Sequence, residues 1–259
     1  MTIPFRDIPA DSGIRPRGVV VLLHAFPLSA RMWEPQFGLA ASGWRVLAPE
    51  LAPVEPGPRP RTMDDCAGAI VDMLDGLHVH DAVVVGLSMG GYAALALFRL
   101  APRYARALVL CDTKPDADTP EGLEGRRRMQ RLVREEGPSA VADELTPKLL
   151  GATTRATRPE VVEHVRSMIA GGSVDSIAVA LDVLMSRQDS TPVLPSIHCP
   201  TLILVGEEDT VTPPALSRGM HAAIAGSRLE TIAGAGHLSS LEHTDAFNAR
   251  LSDFLEHRV

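Results

Sequence analysis

Asp81-Ala-Val-Val-Val-Gly86-Leu87-Ser88-Met89-Gly90-Gly91-Tyr92 is the stretch whose reading decides the fold. The β-branched run up to Gly86 is continuous, apolar and short, which predicts a strand buried on both faces. From Tyr92 to Leu100 the pattern turns helical and stops before Pro102. Between them lies Gly-x-Ser-x-Gly. A serine nucleophile needs a sharp strand-to-helix turn that lifts its hydroxyl out of the sheet, and small neighbours that tolerate the close backbone approach. The same five residues also occur in ordinary glycine turns. The strand before and the helix after separate the two readings.

Outward from this turn, strands and helices alternate. Gly18–Leu23, Trp44–Ala48, Ala107–Cys111 and Thr201–Gly206 read as further buried strands, and Arg228–Ile232 as a weaker one. Thr62 to Leu77 reads as a helix, with Thr62 or Asp64 as cap, and the last helix runs from about Asp245 to Leu255. This alternation predicts a parallel sheet with helices on both faces. It breaks once. Between about Pro115 and Ser196 only helical patterns appear, near 125–136, 140–149, 159–170 and 176–185, separated by Gly and Pro. These are read as a helical insertion that can cover a site. The Gly171-Gly172 pair within it reads as an inter-helix turn, with a hinge as the alternative. Pro53 to Pro60, with four prolines, reads as a loop.

A serine hydroxyl needs a base, and nine histidines are on offer. His237 is selected because Gly234-Ala-Gly-His237 forms a flexible loop after a strand, where such sheets place reacting groups. His78 and His80 fall at a helix-to-strand connection on the opposite edge. His164, His198, His221, His243 and His257 read as surface residues, and His24 as a brace for its own loop. The base needs an acid, and Asp209 in Gly206-Glu-Glu-Asp209 follows a strand. Asp112, at the end of the preceding strand, is the rival; the loop after Asp209 is better suited to reach His237. Glu207 and Glu208 read as solvated. The order is then Ser88, Asp209, His237. Two backbone N–H groups should receive an oxyanion: Met89, just after the nucleophile, and Phe26 in His24-Ala-Phe-Pro27. Trp33 and Trp44 read as packing residues.

Composition bounds what else the chain does. With 45% apolar and 22% charged residues it reads as an ordinary globular protein, and its net charge of −7 argues against a nucleic-acid footprint. The longest apolar runs are far too short to span a bilayer, and Met1 to Gly18 has no apolar core of a signal peptide. Three cysteines in no metal-binding or disulfide spacing read as free thiols in a reducing compartment. The expectation is a cytoplasmic monomer or homodimer without cofactor, metal, membrane or nucleic-acid partner.

His24–Ser29, Gly86–Gly91, Gly206–Asp209 and Gly234–His237 resemble, in order, the four landmark motifs of the α/β-hydrolase superfamily. Within it the chain is similar to the small carboxylesterase, enol-lactonase and cofactor-free haloperoxidase group. The resemblance implies a mostly parallel eight-stranded sheet, with one or two strands before Gly18. It also implies a helical cap, 115–196, inserted between strands 6 and 7 of a core made from 1–114 and 197–259. It implies serine hydrolysis of esters with small or medium acyl chains. Enol-lactone hydrolysis, perhydrolysis, carbon–carbon bond hydrolysis or a ligand receptor on the same fold are alternatives. Two positions depart from the pattern. Ala25 stands where glycine is usual, and Pro49-Glu-Leu-Ala-Pro-Val-Glu-Pro56 replaces a glycine-rich loop. The cap has no Phe, Trp or Tyr, which argues against an aromatic substrate clamp there.

Overall fold

The computed structural model describes residues 3–52 and 59–259; most of the proline-rich loop read at 53–60 lies outside the described residues. Seven strands form one sheet: β1 (Phe5–Ile8), β2 (Gly18–Leu23), β3 (Trp44–Pro49), β4 (Ala82–Leu87), β5 (Ala105–Cys111), β6 (Thr201–Gly206) and β7 (Arg228–Ile232). Their order across the sheet is β1-β3-β2-β4-β5-β6-β7. Only β1 is antiparallel, pairing Phe5 with Pro49 and Ile8 with Val46. The described residues thus hold seven strands where the resemblance implies eight. Among the described residues a single strand precedes Gly18, because Pro9, Gly13 and Pro16 break the alternation that a second would need. Gly13 sits at φ +92 in a turn instead.

Alternation along each strand explains why the runs read as continuously apolar. Val20, Leu22, Val83, Val85, Val109 and Leu204 face one core. Val21, Leu23, Val84, Leu108, Leu110 and Ile203 face the other. The second core is closed by α1 (Met63–Gly76), α2 (Met89–Leu100) and α8 (Pro214–Ala223), and the first by the 3-10 helix Ala30–Ser42 and α10 (Thr244–His257). Trp33 and Trp44 pack in the first core, both almost fully buried. Thr62 caps α1 in a reciprocal pair: its hydroxyl accepts the Asp65 N–H at 3.0 Å and its own N–H donates to the Asp65 carboxylate at 2.9 Å.

Between β5 and β6 run five helices: α3 (Pro120–Glu136), α4 (Pro138–Leu149), α5 (Ala152–Thr157), α6 (Pro159–Ala170) and α7 (Val174–Met185). With one strand fewer ahead of it, this insertion follows the fifth strand of the chain. The short α5 was not legible, since Thr153, Thr154 and Thr157 are weak helix formers. Helices α6 and α7 meet at Gly171-Gly172 with a bend of 93°. No single helix among the described residues is long and apolar enough to cross a membrane.

The turn after β4 tolerates no side chain at Gly90. A Cβ on Gly90 would lie 2.0 Å from the carbonyl oxygen of Leu23, where only backbone can give way. Gly90→Ala is expected to destabilise the protein by about 4 kcal/mol or more, or to prevent folding. Urea unfolding against the unmutated protein measures this.

Candidate active site

Three loops at the carboxyl ends of the parallel strands converge here, the edge where such sheets place ligands. Ser88 ends β4 and opens α2 with φ 54 and ψ −112. It is one of three described non-glycine residues with positive φ, beside His78 and Asp112. The strain is held from both sides. The Ser88 N–H donates to Cys111 O at 2.9 Å, and the Thr113 hydroxyl donates to Ser88 O at 2.9 Å. This fixes the backbone and leaves the side chain free to point away from the sheet.

Ser88 Oγ lies 2.8 Å from His237 Nε2, and His237 Nδ1 lies 2.8 Å from Asp209 Oδ2. His237 is 1% exposed and Asp209 3%. An acidic acceptor at Nδ1 holds the proton there and leaves Nε2 free to accept from the serine hydroxyl. Burial alone would raise the Asp209 carboxyl. The bonds and charge from His237 and the Thr212 donors overcome it and hold the carboxyl below its ordinary range. Asp209 Oδ1 accepts the N–H groups of Val211 and Thr212 at 2.8 and 2.9 Å, and Oδ2 accepts the Thr212 hydroxyl at 2.7 Å.

Asp112 does not touch His237 in any hydrogen bond. Its Oδ1 accepts the Gly206 N–H at 2.8 Å and its Oδ2 the Ser239 hydroxyl at 2.5 Å. Burial, then the neighbouring Asp209 charge, push it well above the usual carboxylate range. His24 is buried: its Nδ1 lies 3.0 Å from Ala25 O, and its Nε2 accepts the Leu51 N–H at 2.9 Å. Burial lowers its pKa, against the Glu50 charge. Ala25 is not among the described positive-φ residues, so alanine costs nothing there.

Ser88 and His237 open onto a cavity of about 290 Å³, walled by Phe26, Tyr92, Met129, Leu145 and Leu181 among others. Met89 is the first residue of α2, whose leading N–H groups lack partners within the helix. Phe26 borders this cavity and, with Met89, a neighbouring one of about 180 Å³. A larger depression of about 750 Å³, bordered by Arg17, Trp44 and Arg106, lies at the opposite ends of the strands and holds none of these groups.

A family model described as "Alpha/beta hydrolase family" matches residues 20–250. The chain belongs to this family. An esterase from Thermogutta terrifontis, solved with malate bound, is 35% identical to this hydrolase and superposes with a TM-score of 0.89 over 98% of this chain and 93% of its own. The enol-lactonase from Burkholderia xenovorans LB400 is 27% identical, with a TM-score of 0.87 over 98% of this chain and 96% of its own. A pimeloyl-[acyl-carrier protein] methyl ester esterase of Neisseria meningitidis is 28% identical over 92% of both chains.

Several residues of this hydrolase around the site escaped the sequence reading. Glu208, read as solvated, accepts the Thr153 N–H at 2.8 Å and the Thr153 hydroxyl at 2.5 Å. His243, read as a surface residue, is half-buried with its Nε2 enclosed. Thr212 was missed, although an acceptor two and three residues before N–H donors is a known turn pattern. Glu242, at the end of α9 (Ser239–Glu242), is fully buried. Its carboxylate accepts the N–H groups of Gly236 at 2.9 Å, Leu238 at 3.1 Å and Gly151 at 2.8 Å. It ties the His237 loop to the start of α5. Glu242→Ala strands three buried N–H groups and is expected to cost about 3 kcal/mol or more, lowering Tm by about 10 °C. A thermal melt followed by circular dichroism reads this directly.

Proposed function

We propose that this α/β hydrolase is a serine esterase that cleaves carboxylic esters of small or medium acyl chain, with Ser88, His237 and Asp209 as its triad. The observation that carries this reading is the unbroken relay Ser88–His237–Asp209 opening into a mostly apolar cavity. Ser88 Oγ attacks the ester carbonyl carbon as its proton passes to His237 Nε2. The carbonyl π pair moves onto oxygen, where the N–H groups of Phe26 and Met89 receive it. Collapse breaks the C–O bond, and His237 returns the proton to the departing alcohol. Water then gives a proton to His237 and attacks the acyl carbon. Collapse releases the acid, and Ser88 recovers its proton. Asp209 keeps its charge throughout and orients the imidazole.

Helices α3–α7 act as a cap over this site, with 115–196 as cap and 1–114 with 197–259 as core. The cavity sits at the small end of the range for ligand pockets, about 300–1,000 Å³, which favours short substrates. The Thermogutta esterase and the Neisseria methyl ester esterase support ester hydrolysis. Enol-lactone hydrolysis is the second reading, favoured by the likeness to the Burkholderia enol-lactonase.

The test is turnover of p-nitrophenyl esters from acetate to decanoate, followed by a serine-directed fluorophosphonate and peptide mapping. The expected result is turnover that falls with chain length and a single adduct on Ser88. Turnover of enol-lactones with none on any open-chain ester would favour the second reading. Labelling elsewhere would remove Ser88 from the mechanism.

A further inference from the structure

The cavity onto which Ser88 opens is also lined by Arg126, Arg128, Lys148 and Glu144, all from α3 and α4. Glu144 in this wall and Asp118 behind it each serve two cations. Glu144 accepts from Arg128 Nη1 at 2.9 Å and from Lys148 Nζ at 2.9 Å. These bonds hold Glu144 down to about 2. Asp118, just before α3, accepts from Arg126 Nε at 2.5 Å and from Arg187 Nη2 at 2.6 Å. The cavity lining carries three cations, Arg126, Arg128 and Lys148, against the single carboxylate Glu144, with Asp118 behind Arg126, in a protein whose net charge is −7.

The inner pair is held firmly. Side-chain exposure is 2% for Arg187, 7% for Asp118 and 22% for Arg126. The Arg187 guanidinium stacks on the ring of Tyr92 at 4.1 Å, and Tyr92 itself lines the cavity. The neighbouring cavity beyond Phe26 has no such surplus, since its lining holds one arginine, Arg31, and one carboxylate, Glu50. Arg128 and Lys148 are more than half exposed and screened by solvent, whereas Arg126 is mostly buried; positive charge there attracts an anion, and a guanidinium suits a carboxylate in charge and shape.

Resting on the esterase reading, we propose that the preferred substrates are half-esters of short dicarboxylic acids. The free carboxylate at the far end of the acyl chain is met by Arg126, and the alcohol part lies toward the neighbouring cavity. A carboxylate there joins a wall already shared between two cations per acid, so no buried charge is left unpaired.

The test uses monomethyl adipate and dimethyl adipate, equal in chain length and differing in one charge. Binding is measured by calorimetry on Ser88→Ala, and kcat/KM on the unmutated protein. The half-ester is expected to bind about tenfold tighter or more at low salt, and the preference should shrink in about 0.5 M salt. Arg126→Met should abolish most of the preference and Arg126→Lys should restore part of it; the salt series on the unmutated residue stands even if Arg126→Met does not fold. Equal binding of the two esters at low salt overturns the proposal. Ser88-dependent turnover without charge preference overturns it and leaves the esterase reading intact. Preferential binding of the half-ester with no turnover of either ester keeps the anion site and overturns the esterase reading.

Discussion

Replacing Ser88 by Ala is expected to lower kcat for ester hydrolysis by roughly 10⁶-fold, about 8 kcal/mol of barrier. Without Oγ no covalent acyl intermediate forms, and the relay through His237 has nothing to activate. What survives is the catalysis that the oxyanion donors and binding supply by themselves, a residual of about 10³–10⁴ over water. Stability should change little, because the Ser88 side chain has one hydrogen bond, to His237, and its backbone is held by Cys111 and Thr113. Active-site titration with the serine-directed label alongside circular dichroism separates loss of chemistry from loss of fold. A kcat lowered less than about tenfold would show that Ser88 is not the nucleophile.

Asp209→Asn carries the second large effect, about 10⁴-fold in kcat. An amide at this place can donate to His237 Nδ1, which moves the imidazole proton to Nε2, where it faces Ser88 Oγ and cannot accept from it. Asp112→Asn is the matched control, since it alters the buried acid at the end of the adjacent strand, which makes no hydrogen bond to His237. Its effect on kcat should stay below about tenfold.

Stability distinguishes the two acids as well. Burial and the Asp209 charge raise Asp112 well above its ordinary value of 3.8. A raised folded-state value means stability present below the unfolded value of 3.8 and lost as pH rises toward the folded one. Asp112→Asn, close in shape to the protonated carboxyl, is expected to remove that loss. Tm against pH for the variant should fall less on the alkaline side than for the unmutated protein. Parallel curves would show that Asp112 is already ionised in the folded state.

Much of this was legible from residues alone, for a physical reason. Strands buried on both faces must be apolar throughout, so β2, β4, β5 and β6 announce themselves by composition. A nucleophile turn needs small residues, so Gly86 and Gly90 around Ser88 mark it locally. Thr62 capping α1 is likewise a property of neighbouring residues. The single strand ahead of β2 was harder, because β1 is a four-residue, largely exposed edge strand with little hydrophobic signal.

What the tertiary structure decided lies beyond such local signals. Asp112 and Asp209 both follow parallel strands, and both are buried acids; only packing places Asp209 Oδ2, and not Asp112, at 2.8 Å from His237 Nδ1. Ser88 and His237 are 149 residues apart, and Glu242 reaches Gly151 across 91. The cations beside Ser88 are brought there by α3 and α4 together, with Arg187, just past α7, behind them. Periodicity reports whether a side chain faces the core or the solvent. Which buried polar group meets which depends on how separate segments pack, and the contact itself satisfies both partners; neither flanking sequence carries a mark of it.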